Sequence, residues 1–215
     1  MKHKFILFTA CLLVLASCVV KALHPFYIKE SISFDGRILG YWNDDDNGKW
    51  DISSFVNGVT KKSLDKMKKE DLKLYTNYIH SYYIKRTHND TETLFLATPF
   101  VVNNQTFLDF FPLEHKNDLD NLLESHIVYA HSLVKYDVQK NGNIKIRWLD
   151  EDKIKSLLKE NTLKLQHEKI GVLNEKYLLT AKSEELYQFI ETYMNSNEPN
   201  KWETSTKFTL SKSVP

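Results

Sequence analysis

The stretch His131–Trp148, HSLVKYDVQKNGNIKIRW, restricts the fold more than any other part of the chain. Val134, Tyr136 and Val138 alternate with polar residues, and Ile144, Ile146 and Trp148 repeat the alternation beyond Asn141-Gly142. Residues two apart on a strand share a face, so this pattern predicts two half-buried strands. Asn-Gly tolerates positive φ at both positions, which predicts a two-residue hairpin turn between them. Such a chain must build a sheet with one face on a core.

Other segments extend the sheet. Thr93–Leu113, TLFLATPFVVNNQTFLDFFPL, predicts two strands around Asn103-Asn104. Leu72–Asp90, LKLYTNYIHSYYIKRTHND, predicts one long strand with apolar groups on both faces, and Thr204–Lys212 a closing strand. An aromatic content of 13 % suits this, because rings pack well on a pleated surface. Strands of this length and number close an antiparallel β-barrel of about eight strands. An open α+β sandwich is the alternative.

Two amphipathic helices interrupt the strands. LDEDKIKSLLKEN opens with Asp150, Glu151 and Asp152 at the positive end of the helix dipole and aligns Ile154, Leu157 and Leu158. SEELYQFIETYM places Leu186, Phe189, Ile190 and Tyr193 on one stripe, with Ser183 as the expected N-cap. A shorter helix is predicted over Asn117–Ser125. Two or three helices therefore attach to the barrel, on its outside or at one open end. The Lys61–Lys73 region is rich in lysine but interrupted by Asp65, Glu70 and Asp71, and predicts a solvated helical insertion.

The amino terminus carries an address. Lys2 and Lys4 precede an apolar run, Phe5–Ala16, that ends in small residues, the pattern of a secretory signal. The run is too short to span a bilayer, which takes about 20 apolar residues. Leu15-Ala16-Ser17-Cys18 follows, and it resembles the lipobox of bacterial lipoproteins, in which the cysteine takes an acyl chain such as palmitate and becomes the first mature residue. The expected organisation is a signal peptide over 1–17, a lipidated tether over 18–33 and a single barrel domain over 34–215. Cys11 leaves with the signal, so Cys18 remains without a disulfide partner. Loss of Lys2 and Lys4 turns the formal charge of +1 slightly negative, which gives no reason to expect a nucleic-acid partner. Val19 is not the aspartate that retains lipoproteins at the inner membrane in the best-understood sorting system. The expectation is an outer-membrane lipoprotein of the bacterial envelope, facing the periplasm.

No catalytic centre is legible. There is no G-x-S-x-G, H-E-x-x-H, Walker or Rossmann pattern, so the expectation is a protein that is not an enzyme and uses no cofactor. The acidic stretch Asp44–Gly48 fails as a calcium loop, since Ser54 stands where the twelfth position requires a bidentate glutamate. It reads instead as a polar hairpin loop with Gly48 supplying positive φ. His126 and His131 are five apart and share neither a strand face nor a helix face, so no metal pair is expected. What remains is a wall of rings. Trp42, Trp50, Tyr78, Tyr82, Tyr136 and Trp148 are the candidates for lining a barrel that binds a small hydrophobic ligand. The competing reading is a structural or assembly role with a partner protein in the envelope.

FDGRILGYW, with Gly40-Tyr41-Trp42, resembles the opening of the lipocalins, where a short helical turn leads into G-x-W and the first barrel strand. In those proteins an arginine closes the barrel, a position that Lys212 takes here. More broadly, residues 26–212 resemble lipid-anchored calycin-like barrel proteins of bacterial envelopes. FLDFFP, Ala130-His131, WLDEDKIKSLLKEN, LQHEKI and YLLTAKSEELYQFIETY follow in similar order. The resemblance implies a mainly β, lipocalin-like barrel on a lipid tether and carries over no catalytic residues.

Overall fold

The computed structural model describes residues 19–113, 126–160 and 162–214. In chain order its strands and helices are β1 (Lys21–Ala22), β2 (Gly40–Asn43), β3 (Lys49–Ser54), α1 (Lys61–Leu64), α2 (Lys69–Tyr78), β4 (Tyr82–His88), β5 (Thr91–Val102), β6 (Gln105–Pro112), β7 (His131–Val138), β8 (Ile144–Trp148), α3 (Glu151–Lys159), β9 (His167–Ile170), β10 (Lys176–Leu179), α4 (Ser183–Asn195) and β11 (Lys207–Lys212). Strands β2 to β8 and β11 form a closed antiparallel barrel of eight strands. Pairing of β6 with β7, Leu108 opposite Val134, joins its two halves. Strand β11 shuts the last gap, with Lys212 opposite Trp42 and Leu210 opposite Ile144.

Alternation decides what fills it. Trp42, Trp50, Ile52, Tyr82, Ile84, Phe110, Tyr136, Ile146 and Trp148 all point inward and are buried. On β5, β6 and β7 the opposite face is apolar too. Phe100, Val102, Phe107 and Leu133 pack outside the barrel against α3 and α4, through Ile154, Leu157, Leu186, Phe189 and Ile190. The two helices thus lie on the outer wall, as their single apolar stripes require. Asp150 caps α3 by accepting from the Lys153 N–H at 3.0 Å. Helix α4 starts at Ser183 with no side-chain cap, so the expected Ser183 cap does not form.

Four further expectations are revised. Leu72–Asp90 is not one strand: α2 runs to Tyr78 and only Tyr82–His88 is extended. Its acidic first turn, Glu70 and Asp71, is what the helix dipole favours, and the lysine-rich insertion falls on α1 and α2. The β7–β8 hairpin exists, but its turn is longer than two residues. The Gln139 N–H donates to Asn143 O at 2.8 Å and the Gly142 N–H to Gln139 O at 2.9 Å, and positive φ falls on Gly142 alone, at 86°. The two-residue turns with positive φ at both positions are Asn89-Asp90 (47° and 59°) and Asn103-Asn104 (50° and 60°). In the acidic loop Asn47, not Gly48, takes positive φ, at 60°. Gly48 is needed for space: a Cβ there would lie 2.4 Å from Asp44 Oδ2 and 2.7 Å from Arg86 Nη2.

The expected tether of residues 18–33 is, from Val19 on, woven into the fold. Lys21 and Ala22 pair antiparallel with β7 and parallel with β10. Val20, Ala22 and Phe26 are buried in the outer core, because the outer faces of β5 to β7 are too apolar to leave uncovered. Beyond them a 3-10 turn, Gly36–Ile38, tucks Ile38 under one end of the barrel. The helix expected over 117–125 lies outside the described residues.

Candidate functional site at the barrel mouth

One barrel end is closed from within. The Tyr82 hydroxyl accepts from the Asp35 N–H at 2.7 Å and donates to Asp35 O at 3.0 Å, and the Tyr136 hydroxyl reaches Asp35 Oδ2 at 3.3 Å. Burial raises the pKa of both phenols far above the usual tyrosine value. The Arg37 side chain, bonded to Asp35, holds that carboxyl low against the opposing effect of burial. Lys212 Nζ sits 4.2 Å from the Trp42 ring centre and donates to Leu39 O at 2.8 Å, so a cation covers the tryptophan of β2.

The lumen is packed. Ile38, Ile52, Ile84, Leu108, Tyr136 and Ile146 surround a void of about 10 Å³, barely one water in size. Five of the six candidate lining residues, Trp42, Trp50, Tyr82, Tyr136 and Trp148, are 0–8 % exposed, and Trp42, Tyr82 and Tyr136 act as filler. Tyr78 is not in the barrel at all. It lies on α2, edge-on to Phe55 at 5.8 Å. Parity could not have excluded it, because the segment is helical where the sequence suggested a strand.

The other end is open among the described residues. Here the turns 44–48 and 89–90 meet the ends of β6 and β8 and the starts of β7 and β11. A depression of about 330 Å³ sits in this mouth, walled by Val19, Trp50, Phe95, Trp148 and Phe208, with Lys21, Arg86 and Ser132 among its polar groups. The rings brace one another: Trp148 lies 6.1 Å from Phe208 and 5.3 Å from Phe110, and Trp50 lies 5.9 Å from Phe208. Two of the candidate rings, Trp50 and Trp148, thus reach the cup. Val19, Phe95, Phe208 and Arg86 complete it. Arg86 is not among the residues singled out from the sequence; its parity with Tyr82 and Ile84 on β4 places it on the inward face once that strand's bounds are known.

The acidic loop holds Arg86 in place. Asp44 has a side chain with no exposed surface, and its Oδ2 accepts from Trp50 Nε1 at 2.7 Å and Arg86 Nε at 2.9 Å. Its Oδ1 accepts the backbone N–H groups of Gly48 at 2.6 Å and Asp46 at 2.9 Å. Burial alone would raise the Asp44 pKa, but the Trp50, Gly48 and Arg86 bonds together hold it below the usual carboxylate value. Asp45 accepts from the Thr209 N–H at 3.0 Å, tying the loop to β11. These carboxylates serve the protein's own donors. Arg86 lies 4.8 Å from the Phe208 ring centre, and its buried Nη2 has no hydrogen-bond partner.

A second polar site lies on the outer wall. Asp109 is 2 % exposed, with Oδ2 at 2.7 Å from His131 Nδ1 and Oδ1 accepting the Phe26 N–H at 3.0 Å. Beside it a pocket of about 90 Å³ takes Tyr27, Tyr78 and Thr98, and burial leads the effects that push the Tyr27 pKa up to about 12. The pair joins β6, β7 and the crossing segment at Phe26. Among the described residues no cluster of three His, Cys, Asp or Glu side chains could hold a metal, and no helix is long and apolar enough to cross a membrane. Comparison of the chain with family models, curated proteins and solved structures gives no match.

Proposed function

We propose that this is a lipoprotein of the bacterial envelope, anchored through Cys18 in the outer membrane and facing the periplasm, whose barrel mouth binds the apolar part of a small amphiphile. The observation that carries the binding reading is the aromatic cup of about 330 Å³ at the mouth of a barrel otherwise packed shut. Rings supply apolar area, and Lys21 supplies positive charge at the rim beside the ion-paired Arg86, a combination that suits a fatty acid or another single-chain anion. The signal and lipobox residues support the anchor.

Two experiments test the two halves. Labelled fatty acid should enter the full chain and be lost in Cys18→Ala; incorporation that survives this change removes the anchor. For the cup, laurate titrated into the domain beginning at Val19 should shift tryptophan emission through Trp50 and Trp148. Ser132→Trp, which fills the cup, should weaken the response at least tenfold. A response that is absent, or unchanged by the filled cup, rejects binding at the mouth.

The packed lumen favours a second reading, a structural partner in an envelope complex, since a void of about 10 Å³ holds no ligand. Cross-linking in the envelope that repeatedly joins the mouth to one protein, with no lipid extracted from the purified domain, would support it.

A further inference from the structure

Strands β1 and β10 run parallel, Lys21 beside Leu178 and Ala22 beside Leu179. The two segments that lead into them therefore arrive at the same end of the pair. One is the chain coming from Cys18. Its described part begins at Val19, which is bridged to Asp150, and one residue reaches only about 3.3–3.6 Å further. The other is the β9–β10 turn, which carries Val172 and Leu173 at 99 % and 84 % exposure.

This turn has a defined geometry. Gly171 has φ +94° and Asn174 φ 54°, and the Asn174 N–H donates to Gly171 O at 3.2 Å. The Glu175 carboxylate folds back to accept the Leu173 N–H at 3.0 Å and occupies the space a Cβ on Gly171 would need. Single exposed apolar residues are ordinary on a protein surface. Two adjacent ones held outward by a built turn are a contact waiting for an apolar phase. Lys169 and Lys176 flank the tip, both exposed, where they would meet anionic headgroups.

We propose that the Val172–Leu173 tip inserts into the interface of the same bilayer that holds the Cys18 lipid, giving the barrel a second membrane contact. The proposal rests on the lipoprotein reading. An anchor one residue before Val19 keeps the bilayer close to this end of β1 and β10, which is why lipid and not a soluble partner is the occupant. Two contacts instead of one also fix how the barrel sits on the membrane.

The test uses the full lipidated chain in vesicles of phosphatidylethanolamine and phosphatidylglycerol. Leu173→Cys is compared with Lys140→Cys, which lies on the β7–β8 turn; both positions are exposed. A membrane-impermeant maleimide should label position 173 at least tenfold more slowly in vesicles than in detergent, with position 140 unchanged. A fluorophore at 173, but not at 140, should be quenched by lipids brominated near the headgroup. Equal labelling of 173 in both media, with labelled fatty acid present on Cys18, overturns the tip and leaves the anchor standing. Protection of 173 in native membranes without lipid quenching overturns it in favour of a protein cover. Absence of fatty acid on Cys18 overturns the anchor and the tip with it.

Discussion

Asp44→Asn removes one charge and almost no volume from a buried carboxylate that ties the mouth loop to Arg86. The carboxylate accepts four hydrogen bonds, two from backbone amides, one from Trp50 and one from Arg86. The amide that replaces it can keep one acceptor oxygen for Asp46 and Gly48, but its NH2 then faces the Trp50 and Arg86 donors. Arg86 would lose its counter-charge while remaining largely enclosed, with a side chain 18 % exposed. Breaking a buried pair from one side costs about 3–5 kcal/mol. Asp46, 3.5 Å from Arg86 Nη2, remains as a weak substitute, which sets the expectation near the lower bound. Urea unfolding followed by tryptophan emission should show a loss of about 3 kcal/mol at unchanged m, or roughly 6–12 °C in Tm for a chain of this size. The pH dependence gives a second reading. Because folding lowers the Asp44 pKa, its contribution is fully present above about pH 5 and is lost as pH falls through the unfolded value of about 3.9 toward the folded one. That acid-side slope should flatten in the variant. A loss below 1 kcal/mol, or an unaltered acid slope, would refute the assignment of Asp44 as the tie that holds Arg86 at the mouth.

Gly142→Val should cost about 1–2 kcal/mol, because φ is +86° there and the penalty comes from backbone conformation in open space, whereas Asn141→Ala should cost less; equal losses in urea unfolding would contradict the turn described. Ile146→Ala should cost about 2–5 kcal/mol by leaving a cavity in the packed lumen, and a loss under 1 kcal/mol would show that the barrel interior has slack.

The barrel was legible because its strands alternate, and strands β5 to β8 and β11 lie where period two places them. What alternation could not reveal was the purpose of the inward rings. Trp42, Tyr82 and Tyr136 look the same in sequence whether they line a cavity or fill one; the difference lies in whether opposing side chains such as Ile84, Leu108 and Ile146 meet them, a matter of closure and not of pattern. Tyr78 was misplaced because Leu72–Asp90 carries apolar residues at spacings compatible with both periods. Residues 19–33 read as a tether because their apolar residues, Val20, Ala22 and Phe26, are few and unevenly spaced, and only the outer face of β5 to β7 gives them a reason to be buried. The cup was half legible: Trp50 and Trp148 were singled out, while Phe95, Phe208 and Arg86 join them only once distant strand ends share a rim.

The cation over Trp42 bears on how the chain reaches its fold. Lys212 bonds to Leu39 across 173 positions of sequence, and β11 alone bridges β2 and β8. A ring whose first and last strands are neighbours cannot finish while any strand is missing, and pairings this distant slow folding because the loop must close before any contact repays it. A chain synthesised from its amino terminus therefore exposes β2 at an unpaired edge until Lys207–Lys212 emerge. The closing step should be late and cooperative, and a truncation before Lys207 should trap an open sheet with two free edges prone to self-association.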